Sequence, residues 1–116
     1  MEPLATTAQT LACTFTLVCA PQIGCEPHDG VPFDVSATQD GFAFDRDGRA
    51  VAGTALPPLQ DSTQAILFED APDRLLLTVG AAGDAVLTQH GPGLGGRVEA
   101  ISFQGLCDMA EGGADD

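Results

Sequence analysis

The residues with chemical reach are four cysteines, two histidines and 17 carboxylates. Cys13, Cys19, Cys25 and Cys107 are the only thiols, and the first three follow one another at x5 spacings. That spacing is neither the C-x2-C knuckle of structural zinc sites nor a C-x-x-C redox pair. Four cysteines in so short a chain therefore point to two disulfides, and so to an oxidising compartment. Of the three possible pairings, Cys19–Cys25 with Cys13–Cys107 is preferred. The Pro and Gly in Ala20-Pro21-Gln22-Ile23-Gly24 let the chain turn back and close a small ring, while Cys13 and Cys107 lie in the first and last strand-like segments and would staple them together.

The other constellations are weaker. Cys25-x2-His28, with Cys19 and Asp29 nearby, could hold a metal only if the thiols were reduced. Asp45-Arg46-Asp47-Gly48 has the look of an acidic calcium loop, but the EF-hand frame requires acids where Ala43 and Thr54 stand. Asp47-Gly48 reads better as a hairpin turn. Neither His28 nor His90 combines with Ser36, Ser62 or Ser102 into a triad spacing or a G-x-S-x-G elbow. Gly91 to Gly96 has no lysine and precedes no helix, so it reads as a hairpin tip or a loop over a barrel mouth rather than a phosphate cradle. Glu69, Asp70 and Asp73 gather at one turn, and His90 ends a strand beside the glycine-rich loop. These four are the candidate binding residues. No catalytic residue, metal ligand or cofactor is assigned.

Charge narrows the partners. The 17 acids face four cations, a formal charge of −13, and all four cations are arginines, at positions 46, 49, 74 and 97. Without lysine there is no Schiff base and no P-loop lysine. Scattered arginines in a negative field give no footprint for nucleic acid or for anionic membrane surfaces. The absence of Asn removes every N-glycosylation acceptor. Lys, Asn, Tyr and Trp are all missing while small residues abound, so a compositional bias explains the acidity as well as a basic partner does.

The elements that must position these groups repeat with period two. In residues 10–18, Leu11, Cys13, Phe15 and Leu17 alternate with Thr14 and Thr16, the pattern of a half-buried strand. Residues 32–38 repeat it, with Phe33, Val35 and Ala37 inward, and 41–46 follow with Phe42 and Phe44 inward. A two-residue turn at Asp47-Gly48 sets Phe44 opposite Val51; a three-residue alternative sets Asp45 opposite Arg49. Residues 54–62, with Pro57-Pro58, read as a loop. Further strands are expected at 63–69, 74–79, 84–90 and 97–107, separated by turns at Ala71-Pro72-Asp73, at Gly80 to Gly83 and at Gly91 to Gly96. All six Phe fall in expected strands, and no helix is indicated.

Length and pattern together predict one all-β domain over 9–109, with a disordered N-terminal extension at 1–8 and a disordered acidic tail at 110–116. The expected fold is a small antiparallel up-and-down barrel of seven or eight strands, disulfide-stapled, with a β-sandwich as the alternative. The barrel is preferred because pairing of the terminal strands removes the sheet's edges. No apolar stretch approaches the ~20 residues of a transmembrane helix. The first ten residues do not form a signal peptide, so export to the periplasm or beyond implies that a signal has been removed.

The C-x5-C-x5-C opening, the short alternating strands and the single late cysteine resemble the layout of small exported bacterial proteins. The layout is also similar to periplasmic inhibitors of c-type lysozyme, eight-stranded barrels stapled between their ends. That resemblance implies an inhibitor-like architecture and a cationic target. The inhibitors bind through a loop with Ser-Gly and a Tyr, and this chain has neither, so no contact residue is carried over. The functional expectation is a non-enzymatic exported module that binds a cationic macromolecule such as a basic protein. The alternatives are a lipocalin-like carrier of a small apolar ligand and, after it, a metal protein or enzyme built on His28, His90 and carboxylates.

Overall fold

A computed structural model describes residues 9–39, 41–58, 63–92 and 96–111. The expected extension at 1–8 and residues 112–116 of the expected tail lie outside this set. Eight antiparallel strands occur among the described residues: β1 (Gln9–Ala20), β2 (Gly24–Thr38), β3 (Gly41–Arg46), β4 (Arg49–Leu56), β5 (Gln64–Asp70), β6 (Asp73–Val79), β7 (Asp84–Pro92) and β8 (Val98–Glu111). Each strand pairs with the next, and β1 pairs with β8, so the sheet closes into an up-and-down barrel rather than a sandwich. The β1–β2, β3–β4, β5–β6 and β7–β8 connections gather at one end, here called the upper end.

Both disulfides are formed, Cys13–Cys107 and Cys19–Cys25. Cys13 and Cys107 are register partners across the β1–β8 seam, and both are buried. Cys19 and Cys25 are partners near the tip of the β1–β2 hairpin. Such bonds are consistent with an oxidising, extracytoplasmic environment.

The alternation fixes what the barrel encloses. Phe15, Phe68, Ile66 and Leu77 are fully buried, Val35, Phe44, Val51, Leu75 and Leu87 nearly so, and among the described residues no polar or charged one is buried. Five of the six Phe form a connected run through the interior. Phe103 lies 6.0 Å from Phe15, which neighbours Phe33, and Phe33 and Phe44 stand edge-on to Phe68 at 6.0 and 4.9 Å. Tilted and edge-on contacts suit the ring quadrupoles. Exposed Asp34, Asp45, Asp84 and Asp108 sit on the opposite parity, facing outward. That is the reverse of the apolar-out, polar-in alternation of barrels that cross membranes. No described helix is long and apolar enough to cross a membrane.

The Asp47-Gly48 turn is a two-residue loop with positive φ at both positions, 56° and 82°, and it sets Phe44 opposite Val51. This is the primed turn whose twist matches that of the flanking strands.

Four boundaries and one face differ from the sequence reading. β2 begins at Gly24 rather than near residue 32. Residues 21–30 are exposed, so this half of the strand has no inside to alternate against, and backbone pairing with Val18 to Ala20 and the Cys19–Cys25 bond define it instead. β4 runs to Leu56 because Thr54, Ala55 and Leu56 pair with Leu67, Ile66 and Ala65. Gly91 and Pro92 belong to β7, paired with Glu99 and Val98 rather than free in a loop. β8 continues through Ala110 and Glu111, two residues past the expected domain limit, because they pair with Thr10 and Gln9.

The changed face is that of Leu17. Phe15 faces Gly105 and Leu17 faces Gln104, so β1 advances two residues while β8 advances one. This bulge hands the inward position beside Phe103 to Val18 and turns Leu17 out beside Val86 and Leu106. Gly105 permits it, since a Cβ there would collide with the Thr14 carbonyl oxygen and the Phe15 backbone.

Candidate functional site

At the upper end the inward-facing positions change from apolar to polar in a single step along five consecutive strands. Phe44 is followed two residues on by Arg46, and Val51 is preceded by Arg49. Phe68 leads to Asp70, Leu75 is preceded by Asp73, and Leu87 leads to Gln89. Because side chains alternate, each polar residue stands on the same face as its apolar neighbour, one tier higher. The two tight hairpins carry complementary charge. Arg46 and Arg49 are register partners at the β3–β4 turn, and Asp70 and Asp73 are partners at the β5–β6 turn.

Alone, each like-charged pair would repel. Together they form a network. Arg46 donates through Nη1 to Asp70 Oδ2 at 2.9 Å and through Nη2 to Asp73 Oδ2 at 3.2 Å. Arg49 grips Asp70 with both terminal nitrogens, at 2.7 and 3.1 Å. Gln89 donates its amide N–H to Asp73 Oδ2 at 3.4 Å. The Asp70 side chain is only 13% exposed, and a fork-on-carboxylate geometry is among the stronger charged contacts. Gly91 makes room for Asp73, since a Cβ there would strike the Asp73 carboxylate.

The hydrogen bond from Arg49 holds the Asp70 carboxyl below its ordinary range. Arg46 reinforces the effect, and partial burial works against it. A carboxyl lowered in the folded state stabilises the fold above the unfolded value of 3.8, and this contribution is lost as pH falls through the lower folded value. Asp70→Asn is therefore expected to lower the melting temperature at pH 7. The gap to the parent protein should narrow on acidification below about pH 4. Melting curves between pH 7 and pH 3 check this; a gap independent of pH would contradict it.

Beside the network lies a half-open cavity of about 160 Å³. Four aromatic rings line it, those of Phe15, Phe33, Phe44 and Phe103, with Val31, Leu75 and Leu87. Among the described residues, Arg46 and Gln89 are the only polar ones in its wall.

The four candidate binding residues divide between two environments. Asp70 and Asp73 belong to the inward network, whereas Glu69 and His90 are exposed. Glu69 pairs with Arg74, Oε2 to Nε, at 2.9 Å on the outer surface. Glu69, Asp73 and His90 also border an open hollow of about 530 Å³, along with Arg74, Pro72 and Pro92. Sequence reasoning missed Arg46, Arg49 and Gln89. Their signal is parity: each continues an apolar inward series past its last hydrophobic member.

Cys19 and Cys25 are bonded to each other, which removes them as ligands for a metal beside His28. Among the described residues no three His, Cys, Asp or Glu converge as a metal-holding group. Comparisons with protein-family profiles, with curated proteins and with solved structures found no match. The geometry defines a small antiparallel eight-stranded β-barrel with an apolar cavity under a polar rim.

Proposed function

We propose that the protein binds a small, largely apolar molecule at the upper end of the barrel, in the manner of a carrier. One observation supports this above the others: a half-open pocket of about 160 Å³ walled by four Phe rings and three aliphatic side chains, with Arg46 and Gln89 beside them. An apolar space of ~150 Å³ takes a benzene-sized guest, so the guest here is a single aromatic ring or the end of a short alkyl chain. Burial of such a guest removes its surface from water and draws on the same driving force that assembles the core. Titration with toluene, followed through the aromatic NMR resonances, tests the reading. Saturable shifts at Phe15 and Phe103 are expected, and they should vanish in Val31→Phe, which fills the space. Absence of saturable shifts in the parent protein would end the proposal.

A second reading, docking of a basic protein, draws support from charge placement. Three of the four arginines are engaged with Glu69, Asp70 and Asp73, while Asp34, Asp45, Asp84 and Asp108 stand exposed. An uncompensated acidic surface speeds encounter with a cation. It predicts retention of lysozyme-like basic proteins at low salt with release by added salt; indifference to salt would count against it. In both readings the protein acts outside the cytosol, in the periplasm or beyond, and the two disulfides support that assignment.

A further inference from the structure

Resting on the cavity reading, we infer that Arg46 and Gln89 make the site selective for an uncharged guest that carries a hydrogen-bond acceptor, such as a ketone or amide carbonyl, over both carboxylates and amines. The argument begins with which polar atoms meet the cavity. Of the network, only Arg46 and Gln89 reach its wall; Asp70, Asp73 and Arg49 stand behind them.

Both wall residues carry donors in excess of their present use. A guanidinium has five N–H groups and a side-chain amide has two. Among the described contacts Arg46 employs two of its own and Gln89 one. Spare N–H groups beside an apolar space favour a guest that brings an acceptor, because a hydrogen bond in that setting is worth more than in water. A guest with no acceptor covers these donors without giving them a partner, which carries a cost.

Charge then acts against ions of either sign. An ammonium entering the cavity meets the guanidinium of Arg46 first, with both aspartates already turned toward arginine. A carboxylate meets a network whose two positive and two negative groups already balance, inside a chain of net charge −13. Bound through the spare N–H groups of Arg46, it would add a third negative charge beside Asp70 and Asp73, with only two arginines to offset them. The aromatic walls alone would accept a cation through ring-face attraction. The placement of Arg46 between that cage and the aspartates is what opposes it.

Four probes of similar size separate the possibilities: acetophenone, its hydrocarbon counterpart cumene, benzoate and benzylammonium. In the parent protein acetophenone should bind at least about tenfold more tightly than either ion. The ratio of acetophenone to cumene affinity should fall roughly tenfold in Gln89→Leu, which removes the spare donor along with the one held by Asp73 and keeps the volume near its original value. In Arg46→Met the aspartates lose their screen, and benzylammonium should gain affinity relative to acetophenone. Tighter binding of benzoate or benzylammonium by the parent protein would overturn the inference. So would an acetophenone-to-cumene ratio unchanged by Gln89→Leu while cumene still binds, a result that leaves the cavity reading standing. If neither cumene nor acetophenone binds, the cavity reading itself falls and the inference with it.

Discussion

Replacing Cys13 and Cys107 together by alanine is expected to lower stability by about 4–5 kcal/mol, the chain-entropy value for a closed loop of this length. The bond joins residues 94 positions apart, so reopening it returns nearly the whole described chain to an unconstrained unfolded ensemble. It also lies at the β1–β8 seam, the one pairing between strands that are not consecutive in the chain. Domains of this size have roughly 5–15 kcal/mol in total, so the loss removes much of the margin. The melting temperature should fall by about 20 °C. The bridge at the hairpin tip spans six positions, and its removal should cost only about 2 kcal/mol. Thermal melts of the two double-alanine variants check both values. Equal losses would mean that the seam bond does not act by restraining the unfolded chain.

The second large effect is expected from Phe68→Ala, about 4 kcal/mol. The ring is fully buried and stands edge-on to Phe44 and Phe33. Its edge occupies the space that a side chain at Gly53 would need on the adjacent strand. Because Gly53 supplies no atoms to move into the gap, truncation leaves a void at the centre of the barrel instead of a surface dent. Phe68→Leu retains most of the volume and should cost less than half as much. Phe103 offers the contrast. It is only partly buried and lines the cavity, so Phe103→Ala should disturb guest binding more than folding. Denaturant midpoints for the Phe68 pair measure the first claim.

Much of this architecture could be read from alternation alone. Phe33 and Val35, and Phe42 and Phe44, each take the inward side that period two assigns them, and Ile66 and Phe68 share one face as it requires, because one side of each strand faces the interior. The Asp47-Gly48 turn was readable because few pairs supply two positive φ angles. The cysteine pairing followed from a turn that can close a small ring. Three features were less accessible. The first half of β2 is solvated on both sides, so its residues carry no polarity rhythm. The reversal at Leu17 depends on Gly105, a residue from the far end of the chain that becomes a neighbour only when the barrel closes. The polar rim depends on which hairpin turns share an end. Glu69, Asp70 and Asp73 were visible as a cluster, but their arginine partners come from a different hairpin, 21 to 27 positions away for the inward contacts.

Gln9 and Glu111 sit side by side as partners in the seam. A short linker between these positions, with a new opening at Asp47-Gly48, would therefore give a circularly permuted protein with the same strand neighbours. In that rearranged connectivity Cys13 and Cys107 become close along the backbone, and their bond turns from a long-range brace into a local clip. The permuted form would keep its shape while surrendering most of what that sulfur link contributes.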